Sequence, residues 1–317
     1  MRVLVTGGCG YKGHIIVPKL LKAGHAVRVV DTQWFGNFHT PHPNLEVMEG
    51  DVNNLHSIDF SDIDAVLHLA SIANDPCGEL NPKLTWETSC LSTMQIADEV
   101  ARRGINRFIY ASSGSVYGVK SEEKVTEDLS LEPLSEYNKT KMVSERVLLS
   151  YQDRINVQIV RPATVCGVSP RMRLDVSVNM LTMQALKNGK ITVFGGTQIR
   201  PNIHIDDICD LYLFLLDHPE HTGIFNAGFE NISILDIALM IKQKIHCDIV
   251  VSESNDPRSY RLDSSKLLNI GFVPQKNVND AISEIIEAYK NGDLTDEDHY
   301  YNLKWMQSKE LAAKAAV

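Results

Sequence analysis

The chain has 317 residues, 44% hydrophobic and 22% charged, enough apolar material for one large core or two modest ones. Its formal charge of -9, from 31 basic and 40 acidic residues, excludes a non-specific grip on nucleic acid or anionic lipid, since both need a net basic face. The cysteines, Cys9, Cys77, Cys90, Cys166, Cys209 and Cys247, form no C-x-x-C pair, so neither a metal site nor a disulfide framework is expected.

The opening MRVLVTGGCG passes from a strand directly into glycines, with no signal-peptide apolar region, and no stretch approaches the roughly 20 apolar residues of a membrane span. A cytoplasmic protein is expected. Short β-branched runs then alternate with helical stretches: RVLVT at 2–6, AVRVV at 26–30, LEVM at 45–48, AVLHLA at 65–70, RFIYAS at 107–112 and VQIVR at 157–161. This rhythm predicts a doubly wound parallel α/β sheet, with ligands at the carboxyl ends of its strands. After Arg161 the pattern becomes a helix over 175–187, strands near Ile191 and Ile203, and helices from Asp206, Ile234 and Val278, a smaller mixed α/β C-terminal domain. The expected division is 1–165 and 166–317, with 201–218 returning to the first part. The residues after Trp305 read as a peripheral helix or a frayed end.

The first strand runs into Thr6-Gly7-Gly8-Cys9-Gly10-Tyr11-Lys12-Gly13 and then a helical pattern that ends at Gly24. Gly7 allows the tight turn, Gly10 lets a pyrophosphate approach the backbone, and Gly13 lets the helix pack closely on the strand, its N-terminus facing the anion. Asp31 closes the second strand, where an acid accepts hydrogen bonds from adenosine ribose hydroxyls. No Lys or Arg follows it closely, which favours NAD over NADP. Asp51 falls where an adenine contact would be. His68, at the end of the fourth strand, is by itself more in keeping with a packed core histidine.

After the fifth strand comes Ala111-Ser112-Ser113-Gly114-Ser115-Val116-Tyr117-Gly118, and 24 residues beyond Ser113 stands Tyr137-Asn138-Lys139-Thr140-Lys141. The i, i+4 spacing puts Tyr137 and Lys141 on one helix face, where the ammonium can lower the phenol's pKa from about 10. Ser113 would hold a substrate hydroxyl. Tyr300 and Lys304 share the spacing but follow no serine-bearing strand and read as helix surface.

Taken together, the glycine turn, Asp31, Asp51, the Ser-Ser-Gly-Ser-Val-Tyr-Gly run and Tyr137-x-x-x-Lys141 resemble the extended short-chain dehydrogenase/reductase family of NAD-dependent nucleotide-sugar epimerases and dehydratases, over nearly the whole chain. The resemblance implies a Rossmann-like fold, Tyr137 as catalytic base aided by Ser113, and Lys141 also on the nicotinamide ribose. It implies further cofactor contacts at Tyr11, Lys12, Val52, Leu69, Ala70, Ser71, Ser89, Ser112 and Pro162. Substrate contacts would come from Ser113, Ser115, Asn179, Arg200 and Arg258, the last three on the diphosphate. Ser169-Pro170-Arg171-Met172-Arg173-Leu174-Asp175 resembles a subgroup that includes a heptose C4 dehydrogenase, which adds Arg171 and Arg173 to the substrate set. His204-Ile205-Asp206-Asp207 belongs to the same match.

Lys12 stands where the family usually carries an apolar residue, and Ser89 where Asn is common. Gly114 and Ser115 replace the Asp-Glu pair of similar 4,6-dehydratases and the Glu of related decarboxylases, so water elimination lacks its acid and base. The implied function is hydride chemistry at C4 of a nucleoside-diphosphate sugar, with a 4-epimerase slightly favoured over a C4 dehydrogenase or 4-keto reductase. A non-catalytic NAD-sensing protein predicts a damaged Ser-Tyr-Lys set, and all three residues are present. The stretch from Leu80 to Arg103 and the Tyr137 helix are expected to pair two copies in a homodimeric four-helix bundle.

Overall fold

The computed structural model describes residues 1–253 and 259–311. The first half contains β1 (Arg2–Thr6), α1 (Gly13–Lys22), β2 (Ala26–Asp31), β3 (Leu45–Glu49) and β4 (Ala65–His68), followed by a helical turn α2 (Asp75–Gly78) and α3 (Pro82–Trp86). Next come α4 (Ser92–Arg102), β5 (Arg107–Ala111), α5 (Glu136–Leu149) and β6 (Asn156–Pro162). The second half contains β7 (Thr164–Cys166), α6 (Ser177–Asn188), β8 (Lys190–Phe194), β9 (Ile199–His204), α7 (Ile205–Asp217), β10 (Gly223–Ala227) and β11 (Glu230–Ser233). It ends with α8 (Ile234–Lys244), β12 (Asp248–Ser252), α9 (Ser265–Asn269), α10 (Val278–Asn291) and α11 (Asn302–Ser308).

Seven parallel strands form the large sheet in the order β3-β2-β1-β4-β5-β6-β10. Alternation along β1 serves both faces: Val3 and Val5 pack with Ile16 and Leu20 of α1 and Ile208 and Leu211 of α7, while Leu4 packs with Ile96 and Val100 of α4. The strand order reverses between β1 and β4, which opens a crevice beyond Thr6 and His68, the switch point at which doubly wound sheets bind ligands. The second half adds a three-stranded sheet, β11-β9-β7, a parallel pair, β12-β8, and its own core around Leu181, Ile191, Ile237 and Ile282.

The predicted strands lie within a few residues of the observed ones. Two features differ. The segment that returns to the large sheet is 205–227, not 201–218: β9 pairs with β7 and β11, whereas α7 lies against α1 and β10 adds the seventh strand. The sequence of β10, GIFNA, has Gly223 at φ +95° and a polar Asn226, so it lacks a β-branched strand signature. The long helix expected over 80–103 is interrupted by a π-helical turn, Glu87–Leu91, between α3 and α4. No described helix is long and apolar enough to cross a membrane.

The face that α5 turns to the sheet is polar: Asn138, Lys141 and Glu145 are all buried there. Glu145 takes both oxygens of its carboxylate to the Arg161 guanidinium of β6, Nε–Oε1 3.0 Å and Nη2–Oε2 2.7 Å, and accepts from Ser112 Oγ at 2.5 Å. Arg161 Nη1 continues to the Tyr117 hydroxyl at 2.6 Å, which donates to Asn226 Oδ1 of β10 at 2.8 Å. With Arg161 1% exposed, removing its counter-charge leaves an unpaired buried cation. Glu145→Leu is expected to cost about 3–5 kcal/mol of stability by urea denaturation; a change near zero would show that the pair does not hold α5.

Candidate active site and cofactor cleft

A cleft of about 580 Å³ opens at the switch point. Gly7 has φ +71°, and a Cβ there would come within 2.6 Å of the Ala70 backbone nitrogen; at Gly13 it would meet the Gly8 carbonyl oxygen at 2.0 Å. At Gly10 the nearest atom is the Gly7 oxygen at 3.3 Å. Two glycines thus permit close packing, and Gly10 leaves its backbone accessible from the cleft. Asp31 accepts from Cys9 N at 2.9 Å and Gln33 N at 2.7 Å, and burial pushes its carboxyl up. The cleft wall also includes Asp51, Val52, Leu69, Ala70, Ser71, Ser112 and Pro162, together with Tyr11 and Lys12 of the turn. This combination of an accessible glycine turn, a carboxylate at the end of β2 and apolar walls fits a dinucleotide.

The catalytic candidates share that cleft. Ser135 caps α5, accepting from Asn138 N, and so fixes where Tyr137 enters. Ser113 Oγ lies 2.6 Å from Ser115 Oγ, and Ser115 Oγ donates to Asn138 Oδ1. Asn138 Nδ2 donates to Asp75 Oδ1 at 2.8 Å, which also receives Ser135 Oγ at 2.5 Å. The Asp75 carboxylate therefore orients the Asn138 amide, which turns its oxygen to Ser115.

Lys141, 2% exposed, donates to the Ala111 carbonyl at 2.8 Å, and its Nζ lies 5.9 Å from the centre of the Tyr137 ring. Burial pushes Lys141 down to about 7, assisted by the charge of Lys12 and opposed by Glu145. The Tyr137 phenol is pushed up to about 12 by burial; the Ser113 hydrogen bond and Arg173 lower it, and Asp75 raises it. Contrary to the expectation, the cations that lower the phenol do not include Lys141; the lowering comes from Ser113 and Arg173, and desolvation exceeds it.

Several expected residues sit elsewhere. Ser89 is fully buried behind the cleft, its Oγ 3.0 Å from Ser71 Oγ, and the neighbouring Thr88 lines the cleft. The π-helical turn widens the helix at this point and changes which residue faces inward. Asn179, expected at a diphosphate, is fully buried: it accepts from Gly167 N at 3.0 Å and donates to Arg173 O at 2.9 Å and the Tyr11 hydroxyl at 3.1 Å. Its polar groups join the two halves of the protein and do not line the cleft. His204, Asp206 and Asp207 likewise serve structure, His204 capping α7 and bonding Glu284 at 3.0 Å, with Asp206 on Lys276. Arg171, Arg173 and Arg200 line the cleft; Arg258 lies outside the described residues.

Sequence reasoning missed Trp34, Phe35, Asn74, Asp75, Asp175, Asn302 and Met306, all in the cleft wall. Asp175 had a signal, since Arg173 takes it in a fork at 2.9 and 3.1 Å within the motif already singled out. Asn302 and Met306 had none: of the tail after Trp305, Met306 packs beside Leu80, Leu84 and Phe35 at the cleft, and residues 312–317 lie outside the described residues. Lys304 is on the surface, paired with Asp298.

An accessible phosphate turn and a Ser-Tyr-Lys set in one cleft define a dinucleotide-dependent oxidoreductase class. The chain belongs to the NAD dependent epimerase/dehydratase family, whose model matches residues 3–228, and it is an NAD-dependent enzyme of that family. It is 27% identical over 325 residues to a UDP-glucose 4-epimerase of Lactobacillus helveticus, covering 92% of this chain and 98% of that one. It resembles a UDP-glucuronic acid 4-epimerase from Bacillus cereus, solved with UDP-glucuronic acid and NAD, at 27% identity and TM-score 0.77 over 92% of this chain and 99% of that one. A Thermus thermophilus UDP-glucose 4-epimerase in complex with NAD shares the fold, with TM-score 0.82 at 23% identity over 92% of this chain and 99% of that one.

Two buried histidines link this region to pH. His68 bridges Thr6 Oγ1 at 2.6 Å and Thr93 Oγ1 at 2.9 Å, and burial pushes it down to about 3. His14, between Gly10 O and Phe38 N, is pushed down to about 4 by burial and by His39. Both stay neutral in the folded protein while the unfolded chain takes up protons below pH ~6.5, so stability falls as pH drops from there toward 4. Each contributes a slope of about 1.4 kcal/mol per pH unit in that window. In urea denaturation between about pH 5 and 7, His68→Gln is expected to flatten the slope by one histidine's share; an unaltered slope contradicts this.

Proposed function

We propose that this enzyme carries out reversible oxidation at C4 of a nucleoside-diphosphate sugar, as a nucleotide-sugar 4-epimerase. The observation that carries the reading is the convergence of Ser113, Tyr137 and Lys141 on the cleft that also holds the glycine turn and Asp31. NAD, when bound, would supply the hydride acceptor and donor, and its positive charge would favour ionisation of a phenol that burial holds at about 12. Tyr137 removes the O4 proton and later returns it, Ser113 holds O4, and Lys141 grips the nicotinamide ribose. Tyr11, Lys12, Leu69 and Pro162 hold the cofactor in place, while Ser115, Arg173 and Arg200 face the substrate.

Local packing argues against elimination or decarboxylation. A Cβ on Gly114 would come within 3.0 Å of Leu262 Cδ1 and 3.1 Å of the Pro162 oxygen, so a carboxylate side chain there would have to displace its neighbours, and Ser115 is bonded to Asn138. The test is incubation with UDP-, GDP- and dTDP-sugars while following sugar identity and NADH absorbance. Interconversion of 4-epimers without net NADH is expected, and Tyr137→Phe is expected to slow it about a hundred- to ten-thousand-fold. Accumulating NADH with a 4-keto product would identify a dehydrogenase instead, and unchanged turnover in Tyr137→Phe would remove the catalytic assignment.

Pairing of two copies through the helices of 82–102 and α5 is part of the same proposal. Leu91 and Met94 on that face are 44% and 40% exposed, apolar surface suited to a bundle. Light scattering is expected to give twice 35.4 kDa, and a 35.4 kDa species at micromolar concentration would refute the dimer.

A further inference from the structure

Arg171 and Arg173 are two residues apart in one loop yet have different surroundings. Arg173 is paired with Asp175 in a fork, and its charge still acts on Tyr137 and Lys12. Arg171 is stacked on Phe35, its guanidinium carbon 4.0 Å from the ring centre, and its charge acts on Asp31, His14 and His299. Phe35 belongs to the segment that follows Asp31, so Arg171 occupies the half of the cleft that takes the adenosine end of the cofactor.

The loop is fastened to the phosphate turn itself. Ser169 Oγ donates to the Tyr11 carbonyl at 2.9 Å, and the Tyr11 hydroxyl donates to the Gly167 carbonyl at 2.6 Å. Two residues after Ser169, Arg171 lines the cleft at 2% exposure. Its Nη2 donates to Asn302 Oδ1 at 2.6 Å and its Nη1 to Met172 O at 3.2 Å. Its Nε is buried without a hydrogen-bond partner, and no carboxylate among the described residues forms an ion pair with it. A guanidinium buried in this way is costly until an anion with acceptor oxygens reaches it.

We infer that Arg171 is a cofactor residue, not a substrate residue, and that it closes on the pyrophosphate of NAD from the side opposite the glycine turn. The inference rests on the dinucleotide reading of the cleft and reassigns the residue expected from sequence to hold substrate. The pyrophosphate is thereby held by both halves of the chain: backbone from 7–13 and a guanidinium from the 167–173 loop, itself steadied by Asn302 of α11. Arg173 remains with the reacting sugar.

Trp34 in the cleft wall makes binding measurable by tryptophan fluorescence. NAD titrated into the cofactor-free full-length protein is expected to show Arg171→Met raising Kd about ten- to a hundred-fold, the loss of one charge-assisted contact, while UDP affinity of the NAD-loaded protein is unchanged. Arg173→Met should show the reverse pattern. Should Arg171→Met fold poorly, Asn302→Ala keeps the guanidinium but removes its holder, and a several-fold weaker Kd for NAD is expected. Wild-type affinity for NAD in both Arg171→Met and Asn302→Ala, or a loss confined to UDP, overturns the assignment. Failure of the wild-type protein to bind NAD would instead remove the cofactor reading beneath it, a result these variants distinguish.

Discussion

The structure depends on the burial of a polar stripe along α5. Asn138, Lys141 and Glu145 follow one another at helical spacing, and each would be destabilising in the interior without a partner. Each partner comes from a different element: Ser115 and Asp75 for Asn138, the β5 carbonyl of Ala111 for Lys141, Arg161 of β6 and Ser112 for Glu145. Satisfying all of them at once allows α5 a single position, and that position presents Tyr137 beside Ser113. The juxtaposition of Tyr137 and Ser113 is therefore a consequence of hydrogen-bond satisfaction, which apolar packing alone would not specify to the same degree.

The cleft is completed from the far side by a second set of obligatory bonds. Tyr11 has its hydroxyl buried between Gly167 and Asn179, and its carbonyl is taken by Ser169. The glycine turn and the 167–173 loop thus hold each other, and Asn179 works as a tie between them. Below the loop, Asp175 gathers Arg173, Asn74 and the backbone of Asn302, so the segment after β4, the loop and α11 meet at one carboxylate. A short helix near the chain end becomes part of the cleft wall in this way.

How legible this was from sequence follows from the range of the interactions. The strands were readable because a sheet buried on both faces requires apolar runs, and the glycine turn because Gly7 and Gly13 answer to contacts within a few residues or an adjacent strand. Tyr137 and Lys141 could be placed together because helical spacing fixes a shared face, and Ser113 because it follows the cleft end of β5; all three line the cleft. Ser89 lies outside the cleft lining, within a π-helical turn that has no local sequence signature. Asn179 was misplaced because its partners are 12 and 168 positions away, and the same chemistry that suits a phosphate suits a backbone amide. The contribution of α11 rests on contacts such as Trp305 Nε1 to Trp34 O, across 271 positions, which no periodicity encodes.

Charge ties these points together. The protein is acidic overall, yet Lys12, Lys141 and Arg171 converge on one cleft without a carboxylate partner among the described residues: Lys12 has the Tyr212 hydroxyl at 3.3 Å, Lys141 a carbonyl, Arg171 an amide oxygen. Burial, along with the charges of nearby cations, lowers Lys12 to about 8 and Lys141 to about 7, so the folded protein carries a standing electrostatic cost there. A ligand bearing phosphate in this cleft would relieve that cost. Positive charge is thus concentrated inside a cleft of a molecule whose net charge is -9, where an anionic group of the cofactor would meet it at short range.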